Sequence, residues 1–439
     1  MWDRAYRKII NAWALYDWAN SAFATTIMAA VLPIYYSKVA AADLPAVRAS
    51  SYWGYTNTIA MLLVAFMAPI LGAIADHSGT RKRFLAGFAS VGILATALMV
   101  FISKGDWLLA SGLFIAGRIG FAGSNIFYDS LLPHVARPED IDQVSARGYA
   151  AGYLGGGLLL ALNLIMIKPN LIGLESFPGI PNTEWGTRLS FVTVAVWWAI
   201  FSIPVLRRVT EPAASGANSD SANAVRAGFQ RLKRTFRDIR RYRQLLKFLV
   251  AFWLYNDGIS TVILMAVIFG AEIGVGEGHL IGSLLMAQFV GIPFAIAFGR
   301  LARWLGTKRS IHLALAGYSV IAIVGYFMQT ALHFWILAFC VATVQGGAQA
   351  LSRSLFGAMS PKAKTGEFFG FYDVSSKFAG IIGPALFGLT GTLTGSSRLS
   401  ILSLIVFFVV GVILLMRLDE KEGIRVARAE DAAQETAAR

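Results

Sequence analysis

Twelve times along this chain an apolar run reaches the length a helix needs to cross a lipid bilayer. The first six runs cover residues 12–36, 53–75, 84–102, 107–131, 149–167 and 189–206. The second six cover 246–270, 280–298, 311–330, 334–359, 368–390 and 399–416. Hydrocarbon offers no partner for a backbone N–H or C=O, so each run must satisfy its own hydrogen bonds as a helix. Only 15% of the residues are charged, against about 25% in a typical soluble protein. That is too little charge to clothe a water-facing surface on 439 residues. The expected fold class is an all-α membrane protein with twelve transmembrane helices.

The loops orient the runs. Those after even-numbered runs carry Arg81, Lys82, Arg83, Arg137, Arg300, Arg303, Lys308, Arg309, Lys362 and Lys364. Those after odd-numbered runs carry mainly Lys38, Arg48, Lys104, Lys168 and Arg398. Cations collect on the cytoplasmic side, so both termini are expected there. The net charge of +14 then reports inner loops facing anionic headgroups, and no nucleic-acid partner is expected.

The expected organisation is a six-helix bundle over 1–206, a basic cytoplasmic linker over 207–245, a second bundle over 246–417 and a charged, frayed tail over 418–439. Within the linker, residues 226–243 have the pattern of a basic amphipathic helix, with Phe229, Leu232, Phe236 and Ile239 on one face. The halves echo each other. Gly72-Ala-Ile-Ala-Asp76-His-Ser-Gly79-Thr-Arg81-Lys82 follows the second run, and Gly299-Arg-Leu-Ala-Arg303-Trp-Leu-Gly306-Thr-Lys308-Arg309 follows the eighth. Leu15-Tyr16-Asp17 is matched by Leu254-Tyr255-Asn256, and Ser21 by Ser260. Echoes at corresponding positions of two halves indicate parallel repeats.

The Gly72–Lys82 frame resembles the signature loop of the major facilitator superfamily. Its second copy departs from the pattern, with Arg303 in the place of Asp76, so the charge latch is expected mainly in the first half. Further segments resemble the unknown-major-facilitator family: Leu15-Tyr-Asp-Trp-Ala-Asn-Ser-Ala-Phe-Ala-Thr-Thr26, Gly148-Tyr-Ala-Ala-Gly-Tyr-Leu-Gly-Gly-Gly157, Gln345-Gly-Gly-Ala-Gln-Ala-Leu-Ser-Arg-Ser354 and Glu367-Phe-Phe-Gly-Phe-Tyr-Asp373. That bacterial group is related to fungal autophagy-linked vacuole effluxers. The resemblance implies the major facilitator fold, alternating access and a place in the bacterial inner membrane. For the fungal relatives it implies export of amino acids from the vacuole.

Ionisable residues inside apolar runs are costly and mark function by default. Asp17 lies about five residues into its run, roughly 8 Å from the cytoplasmic end. Arg118 and Asp257 lie deeper, near the midplane where transporters hold their cargo, and Gln288 is at similar depth. Asp17, Asn20, Arg118, Asn125, Asp257 and Gln288 are therefore the candidates for substrate binding and coupling. Arg118 is suited to an anionic group of the substrate, and Asp257 to a cation or an exchangeable proton. A permanent structural salt bridge is the competing reading for both, and helix-to-helix hydrogen bonding for Asn20, Asn125 and Tyr128.

Asp76, Arg81, Asp129, Arg147, Arg353, Asp373 and Lys377 fall at the cytoplasmic level and are candidates for a gate. Asp373 and Lys377, four apart on one helix, also suit mutual neutralisation. Gly148, Gly152 and Gly156 make a small face for close packing, Pro69, Pro293 and Pro384 are placed to kink their helices, and Trp197 and Trp198 read as lipid contacts or anchors.

No Gly-Lys-[Ser/Thr] phosphate loop is present, and the five histidines do not group as metal ligands. No enzyme, cofactor or metal is expected. The function expected is a secondary active transporter for a small polar or zwitterionic solute, such as an amino acid, with protons as a coupling ion and a monomer sufficient. A transporter of an amphipathic substrate (a lysolipid, peptidoglycan fragment or drug) and a non-transporting membrane sensor stay open.

Overall fold

The computed structural model describes residues 3–44, 52–71 except 54, 58, 65, 68 and 69, then 80–173, 175, 178–210, 242–272, 275–378, 382–394 and 396–437. Every regular element among them is helical. Nine helices among the described residues are long and apolar enough to cross a membrane. Of the other three runs, 246–270 falls within the 30-residue helix Arg243–Glu272. Run 368–390 falls on two helices, Thr365–Phe378 and Ile382–Thr394. Run 53–75 is described only in part, while the linker helix expected over 226–243 lies largely, and Asp76 wholly, outside the described residues.

The helices begin and bend for local reasons. Asp3 accepts the Tyr6 N–H at 2.8 Å and starts Arg4–Ala22 eight residues ahead of the apolar run. That helix passes directly into a π-helical stretch, Phe23–Val31, which widens the turn ahead of Leu32–Tyr35. Asn182 and Thr330 cap Thr183–Arg208 and Ala331–Ala358 in the same manner as Asp3. Pro293 lies inside the unbroken helix Glu277–Leu305. Pro384 is the third residue of the described helix Ile382–Thr394, and residues 379–381 ahead of it lie outside the described residues.

The chain forms two compact units. The first comprises residues 1–67, 80–128 and 151–211. In it, Arg4–Ala22 and Arg81–Leu98 both pack on Thr183–Arg208, around Phe23, Phe114, Phe191 and Trp198. Gly152 and Gly156 give the close approach expected of them. A Cβ on Gly152 would stand 2.6 Å from Ser21 Oγ, and Thr25 donates to the Gly156 carbonyl at 3.2 Å. Trp198 is fully buried, and Trp197 stacks on Trp18 and donates to its carbonyl at 3.1 Å. Both tryptophans therefore bind helix to helix, which corrects their reading as lipid anchors: the run is apolar on all sides, so periodicity does not mark the face that other helices cover.

The second unit comprises residues 68–79, 129–150 and 212–439. Its core runs through Phe248, Tyr255, Tyr318, Phe356 and Phe408. Its tail is not frayed. Glu420–Ala437 is a helix, held where Lys364 meets Glu430 at 2.6 Å and the Tyr242 hydroxyl at 2.8 Å, and where Asp431 accepts the Lys362 N–H at 2.8 Å. Large apolar side chains elsewhere are open to the surroundings, among them Leu94, Phe101, Trp304 and Leu332, as lipid-facing residues are.

Candidate functional site

In the first unit the polar candidates meet in pairs. Asp17 and Asn20 come from Arg4–Ala22, and Arg118, Asn125 and Tyr128 from Trp107–Ser130. Tyr128 donates its phenol to Asp17 at 2.9 Å, and the Asn20 and Asn125 carboxamides hydrogen-bond to each other. The phenol is fixed from behind, because Tyr128 stacks on Trp13 at 4.5 Å and Trp13 donates to the Tyr128 carbonyl at 3.2 Å. Arg118 is half-buried and directs a guanidinium nitrogen to the Met28 sulfur at 3.0 Å, on the π-helical stretch.

Asp257 in the second unit is held differently. It is fully buried and accepts the backbone N–H groups of Ile382 and Gly383 at 3.1 and 3.0 Å. Both N–H groups belong to the first described residues of Ile382–Thr394. A carboxylate there faces the positive end of the helix dipole. Thr261 closes the arrangement by donating to the Asp257 carbonyl at 2.7 Å. Side-chain room at Gly383 is nil, since a Cβ would fall 1.9 Å from Thr261 Oγ1 and 2.7 Å from Asp257 Oδ1.

The gate candidates resolve unevenly. Arg353 is fully buried and meets Asp129 at 3.0 Å, donates to Ser145 Oγ and its carbonyl at 2.9 and 2.8 Å, and lies 4.3 Å above the Tyr149 ring. Arg81 is buried at the start of Arg81–Leu98, whereas Arg147 is exposed. Asp373 and Lys377 share the helix Thr365–Phe378, but their side chains are outside the described residues, as is Asp76.

Two acids escaped the sequence reading. Asp140 pairs with Arg303 at 2.5 Å, and Asp142 accepts from Thr307 at 2.7 Å and from Ser354. The second copy of the repeated frame thus has a formed ion pair of its own, while residues 72–79 of the first copy lie outside the described residues. The signal was available: two acids stand just ahead of the fifth run, at the same level as the cationic frame. Glu420, outside the membrane, is pushed above the ordinary carboxylate range by burial, with the Asp142 charge adding to the shift and the Lys308 backbone N–H and ammonium opposing it.

Gln288 lines a cavity of about 140 Å³ in the second unit, together with Gln345, Ser283, Phe269, Met328 and Phe334. Among the described residues no cluster of three metal-ligating side chains is present.

Comparison with known proteins accounts for this arrangement. The profile of the family described as "Vacuole effluxer Atg22 like" matches residues 5–428. The MFS-type transporter YxiO of Bacillus subtilis (strain 168) is 38% identical over 98% of this chain and 99% of its own. Autophagy-related protein 22 of Pyricularia oryzae is 23% identical over 78% of this chain, which corresponds to 61% of the fungal protein. The structure of the proton:xylose symporter XylE, a major facilitator superfamily protein, superposes with a TM-score of 0.72 at 13% identity, over 95% of this chain and 97% of XylE. The fold is that of the superfamily. A family match over nearly the whole chain, a near-full-length relative and charged side chains held inside apolar helices converge: this protein is a membrane transporter that belongs to the Atg22-like vacuole effluxer family of the major facilitator superfamily.

Proposed function

We propose that the chain is a secondary active transporter that carries a small polar or zwitterionic solute across the bacterial inner membrane by alternating access. In this reading twelve helices form two six-helix halves, 1–206 and 246–417, with both termini cytoplasmic. The observation that carries the proposal is the polar set on two apolar helices of the first unit: a half-buried guanidinium, Arg118, on the same pair of helices as the Asp17–Tyr128 and Asn20–Asn125 pairs. An ionisable side chain within an apolar helix is costly and marks function by default, and a guanidinium there suits an anionic group of the cargo. Asn20, Asn125 and Asp17 supply hydrogen-bonding and negative partners on the same two helices. Amino acids fit this chemistry.

Asp257 is the proposed proton carrier. Protonation removes the negative charge from the start of Ile382–Thr394 and loosens its hold on the Ile382 and Gly383 N–H groups, so proton uptake alters helix packing in the second half. The Asp129–Arg353 and Asp140–Arg303 pairs, which join residues 129–150 to helices of the second half, act as the inner gate and separate when that side opens.

The test is thermal stability of the purified protein across a library of amino acids and other small polar metabolites, since a ligand that binds the folded state raises stability by mass action. We expect a stabilising solute whose effect is lost in Arg118→Ala and kept in Arg147→Ala. A stabilising set confined to uncharged apolar compounds would overturn the polar cargo.

A further inference from the structure

The cavity beside Gln288 is built for a different chemistry from the Arg118 region. Its walls come from five helices of the second unit, and the described residues that line it include no charged one. Phe269, Phe334, Met328 and Leu337 supply apolar and soft aromatic surface, and the polar side chains on the wall are those of Ser283, Gln288 and Gln345. Ser283 already donates to the Leu280 carbonyl at 2.8 Å and keeps lone pairs to accept with. Neither carboxamide hydrogen-bonds to another described residue, so each presents a donor and an acceptor.

A void left in a packed interior costs stability roughly in proportion to its volume. At about 140 Å³ it is close to the roughly 150 Å³ that admits one benzene-sized molecule. Charged and zwitterionic ligands are disfavoured, because no charged side chain among the described residues lines the wall and a charge without a counter-ion there is costly. We infer that this cavity is a binding site for a small, uncharged, ring-sized amphiphile, with an apolar body against Phe269 and Phe334 and a hydroxyl or N–H group answered by Gln288 and Gln345. The site is independent of the cargo proposed above, and its test reads binding without transport.

The probe is 4-fluorophenol, followed by fluorine NMR with the full chain in lipid nanodiscs and empty nanodiscs as the blank for partitioning. Saturable binding above the blank is expected, displaced by phenol and not by tyrosine, which carries the same ring with two charges. Ala266→Phe fills the cavity and should abolish binding. Gln288→Leu combined with Gln345→Leu should weaken 4-fluorophenol about tenfold while leaving fluorobenzene unchanged, the loss expected from one net hydrogen bond. Thermal unfolding establishes that each variant is folded, and if Ala266→Phe is not, the paired glutamine variant decides. Binding no greater than the blank, as in a cavity that holds only water, would overturn the proposal. So would unaltered binding in the folded Ala266→Phe variant, equal competition by tyrosine, or an equal response of both probes to loss of the glutamines.

Discussion

Asp17 and Asp257 are carboxylates inside apolar helices, near matching positions of the two sequence repeats, yet the protein holds them in opposite ways. Asp17 is half-buried and accepts the phenol of Tyr128, a side chain from another helix. Asp257 is fully buried and leans on backbone, the opening N–H groups of Ile382–Thr394. A side-chain partner can rotate away at the cost of one hydrogen bond. Helix-start N–H groups cannot, so any change at Asp257 must be answered by a whole helix. The comparison separates an adjustable site from one coupled to helix position.

The widest difference should come from truncation. Asp257→Ala leaves two N–H groups without a partner and should destabilise the protein by about 3 kcal/mol, measured by reversible unfolding in mixed micelles. Asp17→Ala should cost clearly less, and equal losses would break the comparison. Next, Gly383→Ala drives a methyl against Thr261 and Asp257 and should cost about 2 kcal/mol by overpacking. Thr261→Ala in the same background should recover part of that loss, since the hydroxyl is the nearest obstacle. At the first site, a double-mutant cycle of Asp17→Ala with Tyr128→Phe should return a coupling of about 0.6 kcal/mol, the usual size for a hydrogen bond between membrane helices. A coupling several times larger would make Asp17 as fixed as Asp257.

The smallest effect concerns pH, and it keeps the comparison clean. Glu420 has its pKa raised on folding, so the native state holds its proton more tightly than the unfolded chain. Its contribution is fully present below the ordinary carboxylate range, near pH 4, and is lost as pH rises through the raised value. Glu420→Gln should therefore flatten the decline of melting temperature above about pH 4. Whatever pH response survives in that variant belongs to the other titrating groups, Asp17 and Asp257 among them.

The residues that the sequence singled out were found largely where helices meet, but their partners were not legible. Asn20 was read as a hydrogen-bonding group, and its partner Asn125 comes from a helix more than a hundred residues on. The acids Asp140 and Asp142 were not singled out in the sequence, and it is the fold that brings Arg303, Thr307 and Ser354 to them. The tail looked frayed because its own composition is weakly apolar. Its order comes from Lys364, Tyr242 and Lys362, which no local pattern points to.

The sequence by itself determined that the chain lives in lipid and is helical, because hydrocarbon accepts no other backbone and the runs are too many and too long for a soluble core. It also marked Asp17, Arg118, Asp257 and Arg353 as residues whose cost demands a reason. Only the tertiary structure decided which groups meet them: Tyr128 at Asp17, Met28 at Arg118, the Ile382 and Gly383 N–H groups at Asp257, and Asp129 with Ser145 at Arg353. A buried charge is stabilised by whatever the fold brings within about 3 Å, and that proximity is a property of packing between distant segments, not of composition or spacing.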